Sequence, residues 1–253
     1  MSLPSLPAED IFGNRMKIEY FLAHLDRHRS RLGRPLTILD FGCGNGTAMS
    51  AFLCNGPDRY YGVDFHPPSL AYARENFGGP QATFAEDVPP DVTFDALIYG
   101  DVIEHLPKPL ELLQRHVAQL NDTGILLGSV PNGYGPCEME KYVDRSLGLY
   151  EKFRWVGRRL GRLMGRPQVE REVVPYNYDS GHLQFFTTRS LNELVANLGM
   201  RIADFGHGGF VGANLTAATI FRSPRLVDLN VKVADHLPDW MVSTWYFELD
   251  RKR

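Results

Sequence analysis

Residues 38–46 read Ile38-Leu39-Asp40-Phe41-Gly42-Cys43-Gly44-Asn45-Gly46, an apolar run closing on an aspartate and then three glycines at alternate positions. The apolar run has strand composition, and the glycines permit a tight turn into a helix from about Thr47. A strand, a glycine turn and a helix place backbone N–H groups at the C-terminal edge of a sheet, where open α/β folds bind ligands. The spacing is G-x-G-x-G rather than the G-x-G-x-x-G of a dinucleotide pyrophosphate loop, and Asp40 would add negative charge beside a phosphate.

The chain on either side repeats the alternation. Leu36–Phe41, Tyr60–Phe65, Thr83–Val88, Phe94–Gly100 and Ile125–Val130 read as strands, with helices opened by Pro67 and by Pro109, the latter running toward Gly124. Alternating strands and helices predict an α/β fold: a doubly wound, mostly parallel sheet with helices on both faces, spanning about residues 36–130. Residues 1–35 form a helical lead-in whose Phe12, Met16, Phe21, Leu22 and Leu25 dock on that core. After Pro131 comes a polar, aromatic and basic insertion, 131–186, of roughly 50 residues and therefore longer than ordinary connections, which marks it as a functional cap. Residues 187–253 complete the core with a helix at Leu191, Leu194, Val195 and Leu198 behind a Ser190–Glu193 capping box, then strands Met200–Phe205 and Trp245–Leu249 around a second excursion through Asp235 and Trp240.

A ligand carrying an ammonium suits Asp40 better than a phosphate does. S-adenosylmethionine has one, with a carboxylate for the loop N–H groups at Gly42, Cys43 and Gly44. Asp64, in G-V-D-F-H at the end of the second strand, stands where an acid accepts both ribose hydroxyls, and Phe65 beside it would cover an adenine face. Asp87 and Val88, at the end of the third strand, would receive the adenine amino group and edge.

Taken in order, I-L-D-F-G-C-G-N-G, Y-G-V-D, A-E-D-V and Y-G-D-V-I-E-H-L resemble the successive motifs of class I S-adenosylmethionine-dependent methyltransferases. The resemblance implies a seven-stranded Rossmann-like sheet, S-adenosylmethionine as cofactor, and cofactor contacts from Asp40, Gly42, Gly44, Asp64 and Asp87, with Asp101 at the end of the fourth strand. It also implies that His105, in the E-H-L segment, faces the methionine end of the cofactor. Asp101, Glu104 and His105 further match the E-x-x-E-H metal pattern of ubiquinone-biosynthesis O-methyltransferases and small-RNA 3′-end methyltransferases, with aspartate in first place. A divalent metal on that trio is the alternative to the metal-free transfer adopted here.

Methyl transfer is an in-line displacement that asks the protein to align the acceptor, exclude water and remove a proton. Histidine is the base suited to neutral pH, and His182 and His105 are the catalytic candidates. His182 lies in Y-N-Y-D-S-G-H-L-Q-F-F-T, whose closing H-x-x-F-F-T resembles a stretch in methyltransferases acting on sugars, lipids and other small metabolites. Tyr176, Tyr178 and Asp179 before it, with His207 after the sixth strand, are the expected acceptor-binding residues.

From residue 152 to 166 the cap carries Lys152, Arg154, Arg158, Arg159, Arg162 and Arg166 with no acid, interleaved with apolar side chains. Such a basic amphipathic helix favours an anionic acceptor or peripheral contact with an anionic membrane. The whole chain of 253 residues has a net charge of -3 and an isoelectric point near 6.2, which argues against DNA and disfavours RNA as a partner. Three cysteines without metal or disulfide spacing, and an opening M-S-L-P-S-L-P without a basic, apolar leader pattern, point to the cytoplasm. The resulting expectation is methyl transfer to a hydroxyl of a sugar, lipid-linked or secondary-metabolite acceptor by a monomer or homodimer. The alternatives are metal-assisted 2′-O-methylation of an RNA 3′ end and a non-catalytic module on this fold.

Overall fold

The computed structural model describes residues 6–10, 13–163, 175, 181–219, 221 and 223–252. Among them seven strands form one sheet in the order β3-β2-β1-β4-β5-β7-β6, namely β1 (Thr37–Phe41), β2 (Arg59–Val63), β3 (Ala82–Ala85), β4 (Phe94–Gly100), β5 (Leu120–Pro131), β6 (Met200–His207) and β7 (Thr244–Arg251). The first five run parallel, and β7 pairs antiparallel with both β5 and β6. The chain order reverses between β1 and β4, the crevice where doubly wound sheets place their ligands.

The helices are α1 (Asn14–Leu32), α2 (Ser50–Leu53), α3 (Pro67–Phe77), α4 (Pro109–Ala118), α5 (Pro136–Leu147), α6 (Leu149–Leu163), α7 (Thr188–Asn197), α8 (Asn214–Thr219) and α9 (Pro224–Ala234). Alternate residues of the central strands supply two cores. Ile38, Ala96 and Ile98 pack with Phe21 and Leu25 of α1, Phe52 of α2 and Leu70 of α3. Leu39, Leu97 and Tyr99 pack with Leu113 and Val117 of α4 and Leu191 and Val195 of α7. Burial on both faces explains why β4 reads Phe-Asp-Ala-Leu-Ile-Tyr-Gly with no polar alternation.

Three local expectations are corrected. The helix after the glycines begins at Ser50, not Thr47, and has four residues. Leu120 belongs to β5, opposite Phe94, instead of ending α4. The capping box of α7 lies one turn earlier, where Ser190 N–H donates to Thr187 Oγ1 (3.1 Å) and Thr187 N–H to Ser190 Oγ (2.9 Å).

The N-terminal edge of the sheet is pinned by two buried acids. Asp95 accepts from both Arg34 terminal nitrogens, Thr37 N–H and Asn121, and Asp58 accepts from Leu36 N–H and Arg29. These contacts hold the strand starts and leave the opposite edge for chemistry.

Candidate active site

At the C-terminal edge the glycine loop has the conformation its composition requires: Gly42, Gly44 and Gly46 have φ of 78°, 55° and 80°. A Cβ on Gly42 would lie 2.4 Å from Val102 Cγ2 and one on Gly46 2.7 Å from Phe77 Cδ2, whereas one on Gly44 would meet nothing within 4 Å. Gly44 therefore forms a bare cradle facing open space. The loop N–H groups are committed within the protein, contrary to expectation. Gly42 and Cys43 donate to Val63 O, Gly46 donates to Cys43 O, and Gly44 donates to Asp64 Oδ2 at 2.8 Å. What the glycines offer a ligand is room for close approach more than donors.

Asp64 also accepts His66 N–H on Oδ1 (2.8 Å). Two N–H bonds use about half of a carboxylate's roughly four acceptor positions, so the residue keeps capacity for a pair of hydroxyls. Phe65 is 74% exposed beside it, and Asp87 is exposed with Val88 half-buried past the end of β3. Asp40, the expected ammonium partner, is turned inward and accepts from Tyr60 at 2.5 Å. Burial, opposed by the Tyr60 bond and reinforced by Asp64, pushes its carboxyl up to about 7.

Asp101 has φ 54°, the left-handed region rare for a residue with a Cβ. Its carboxylate pairs with Lys17 of α1 and accepts from Ser129 Oγ at 2.5 Å. Burial would raise this carboxyl, but Lys17, Ser129 and His105 outweigh it and hold it below the ordinary range. Asp101 is thereby drawn away from Glu104 and His105, its partners in the alternative metal trio.

The region expected to hold the acceptor is assembled from two distant stretches. A single 3-10 turn, Ile103–His105, follows β4, and Glu104 O in it accepts Leu183 N–H (2.8 Å) and Gln184 N–H (2.9 Å) from the end of the cap. His105 Nδ1 lies 3.1 Å from Gly181 O, a carbonyl that can only accept, so Nδ1 is the donor there. The two candidate bases come together, with the His105 and His182 rings 5.0 Å apart. Glu104 is 1% exposed. Its Oε2 has no hydrogen-bond partner among the described residues, and burial and Asp101 push its carboxyl well above the ordinary range. Glu104, His105 and His182 present ligand atoms within 4.8 Å of one another. A carboxylate and two imidazoles fit a divalent transition metal, with His182 where the sequence pattern had placed Asp101.

His182 lines a cavity of about 630 Å³ with Gly133, Tyr134, Glu138, Met139, Lys141, Tyr142, Val143, Arg145, Gly181 and Phe185. Burial, then Lys141, lower its imidazole pKa below the ordinary value, and Glu138 Oε1 stands 3.9 Å from its Nδ1. This wall of α5 is absent from the residues expected on sequence grounds. Its signal was Glu138, Lys141, Tyr142 and Arg145 at helical spacing behind Gly135-Pro136. Tyr176, Tyr178 and Asp179 lie outside the described residues. His207 is not brought to this cavity: its nitrogens meet Ala234 O and Asp239 Oδ1, each at 3.0 Å, and it lines a separate space of about 420 Å³ with Phe205 and Asp239.

A 3-2-1-4-5-7-6 sheet with one reversed strand, an open glycine cradle and an acid at the end of β2 define the class I, Rossmann-like S-adenosylmethionine-dependent methyltransferases. Residues 15–204 match the family described as methyltransferase domain, and the chain belongs to it. It is 32% identical over 122 residues to a ubiquinone biosynthesis O-methyltransferase of Paramagnetospirillum magneticum, covering 45% of this chain and 48% of that one. It is 31% identical over 105 residues to a trans-aconitate 2-methyltransferase of Rhodopseudomonas palustris, covering 40% and 41%. The chain thus spans about half the length, or less, of the curated relatives it matches. Among solved structures, a Burkholderia thailandensis 1,6-didemethyltoxoflavin-N1-methyltransferase with bound S-adenosylhomocysteine superposes with a TM-score of 0.53 at 17% identity, over 96% of this chain and 80% of that one, a likeness of fold.

Proposed function

We propose that the protein transfers the methyl group of S-adenosylmethionine to a hydroxyl of a small-molecule acceptor held in the α5 cavity, with His182 as the base and His105 beside it. The observation that carries this reading is the pairing of the two imidazoles, 5.0 Å apart, at a largely apolar cavity that His182 lines. The cofactor, when bound, supplies an electrophilic sulfonium methyl. As the acceptor oxygen bonds to that carbon, the carbon–sulfur bond breaks with its electron pair on sulfur and the hydroxyl proton passes to imidazole. An imidazole whose pKa is lowered by burial is already neutral near pH 7 and ready to accept that proton. Apolar side chains line much of the cavity, and Arg145 suits an acceptor with an anionic group. The O-methyltransferase among the relatives agrees with hydroxyl chemistry.

Calorimetric titration with S-adenosylhomocysteine tests the cofactor side: micromolar binding lost in Asp64→Ala supports it, and absence of binding by the wild type refutes it. Wild-type turnover in both His182→Ala and His105→Ala refutes the base assignment.

A second reading, metal-assisted transfer, is favoured by one observation: Glu104 Oε2 is buried and unpartnered beside two imidazoles. Such a trio could hold a metal ion against a pair of acceptor oxygens. Activity that survives thorough chelation removes this reading.

A further inference from the structure

The rim of the acceptor cavity is apolar on the side that faces solvent. Along α5, Met139, Tyr142, Val143 and Leu147 stand at i, i+3, i+4 and i+8, and they are 63%, 76%, 48% and 54% exposed. That spacing puts four large side chains on one helical stripe, on the outside of the molecule. α6 follows after the single residue Gly148 and carries Trp155 and Val156, 57% and 46% exposed. Arg159 lies over the Trp155 ring at 5.3 Å. An exposed apolar stripe of this extent marks an interaction surface.

The charges beside it are positive in balance: across α5 and α6 seven basic residues stand against Glu138, Glu140, Asp144 and Glu151. α6 has five basic residues and one acid, Glu151, within a chain whose net charge is -3, so positive charge is concentrated on this element against the average of the molecule. Arg145 extends it to the cavity wall, where Lys141 is paired with Glu138. We propose that the α5–α6 face seats on an anionic lipid bilayer, its aromatic and aliphatic side chains in the headgroup–acyl boundary and its basic residues on the lipid phosphates. Basic amphipathic helices with tryptophan at their apolar edge bind this way. A polyanion in water, such as RNA, would use the basic residues and leave Met139, Val143, Leu147 and Val156 without a role. No helix among the described residues is long and apolar enough to cross a membrane, so contact is peripheral.

The cavity mouth shares Met139, Tyr142 and Val143 with the stripe. Seating the face therefore opens the cavity to the bilayer and makes the acceptor an amphiphile whose hydroxyl-bearing head enters while its apolar part stays in the lipid. This statement about the acceptor rests on the methyltransferase reading; binding to the membrane does not.

The test is co-sedimentation of the full chain with vesicles of equal parts phosphatidylcholine and phosphatidylglycerol, against vesicles of phosphatidylcholine alone, with S-adenosylhomocysteine titrated in parallel. Binding to the anionic vesicles is expected. At about fivefold in partitioning per basic residue, Lys152→Gln with Arg159→Gln weakens it roughly 25-fold. Leu147→Ser with Trp155→Ser, neither of which lines the cavity, weakens it independently of salt. Both variants keep wild-type affinity for S-adenosylhomocysteine, which separates loss of the surface from loss of the fold. The proposal is overturned if the wild type ignores anionic vesicles or if both variants sediment as the wild type does. It is also overturned if the only effect of Leu147→Ser with Trp155→Ser is to split a dimer, or if the basic variant loses only affinity for a short RNA. Vesicle binding without S-adenosylhomocysteine binding leaves the surface standing and refutes the cofactor reading instead.

Discussion

Replacing Gly42 and Gly44 separately by alanine separates what the glycine loop does for the fold from what it does for a ligand. Both residues have left-handed φ, 78° and 55°, and holding an alanine there costs about 1–2 kcal/mol. Gly42→Ala adds a Cβ 2.4 Å from Val102 Cγ2 and 3.2 Å from Cγ1. The branched side chain sits against a packed core, and overpacking of this kind costs typically about 1–3 kcal/mol. The expected loss for Gly42→Ala is about 2–5 kcal/mol, a melting temperature lower by roughly 4–20 °C for a chain of this size. Gly44→Ala has open space around its Cβ and loses only the conformational part, about 1–2 kcal/mol. That open space is where a cofactor would approach the backbone, so Gly44→Ala weakens S-adenosylhomocysteine at least about tenfold, a cost of about 1.4 kcal/mol. Denaturant titration measures the first pair of quantities and calorimetry the second. Combining Gly42→Ala with Val102→Ala relieves the contact alone, and the double-mutant cycle returns about 1–3 kcal/mol of coupling. Equal destabilisation by the two single variants, or unchanged affinity in Gly44→Ala, would refute the division of labour between these glycines.

Three further outcomes follow from the buried acids and from His182. Asp40, with its carboxyl pushed up to about 7 by burial, contributes stability that is fully present below the unfolded value of about 4 and is lost as pH rises through about 7. Asp40→Asn therefore gains melting temperature on the wild type across that window, and parallel curves contradict the burial argument. Asp95 has the opposite sign: burial alone would raise it, but Arg34, Thr37 and Asn121 prevail and hold it below the usual range. Its stabilisation is present above about pH 4 and falls away as pH drops through the folded value. Asp95→Ala costs about 1–3 kcal/mol near neutrality through the unpaired Thr37 N–H, while S-adenosylhomocysteine binding at the far edge is unchanged. For His182, the acid limb of kcat/KM lies below the ordinary imidazole value of about 6.5. A limb above it means another group gives up the proton.

The sheet was legible because its signals are local. Central strands buried on both faces leave apolar runs such as Ala96–Gly100, and glycines forced to positive φ announce the turn after β1. Boundaries failed where tertiary pairing overrode local preference: Leu120 continues a helical spacing in the sequence, yet it is drawn into β5 by Phe94. Polar partners were the least visible part of the site. That Asp40 turns to Tyr60, 20 residues on, and that Lys17 takes Asp101 across 84 residues depends on which faces meet in space. The histidines were found by chemistry, but their meeting was not, because nothing local links residue 105 to 182.

That meeting is built from backbone, with a consequence for how the site should respond to change. Glu104 O receives the amides of Leu183 and Gln184, Gly133 N–H donates to Phe186 O, and Gln184 Nε2 donates to Leu106 O at 3.1 Å. The end of the cap is thus stitched to the turn after β4 and to the end of β5 without either imidazole except through the His105–Gly181 contact. Removing the His182 ring leaves every one of those bonds in place, so His182→Ala retains the fold and the cavity walls and loses only what the ring itself does. Had the histidines held the cap down, activity and stability would fall together. Since the backbone holds it, loss of turnover without loss of melting temperature marks a chemical role of the ring, as base or as metal ligand, and chelation tells the two apart. The proposed base stands on a mount fixed at the C-terminal ends of β4 and β5, the same sheet edge that carries the glycine cradle and Asp64.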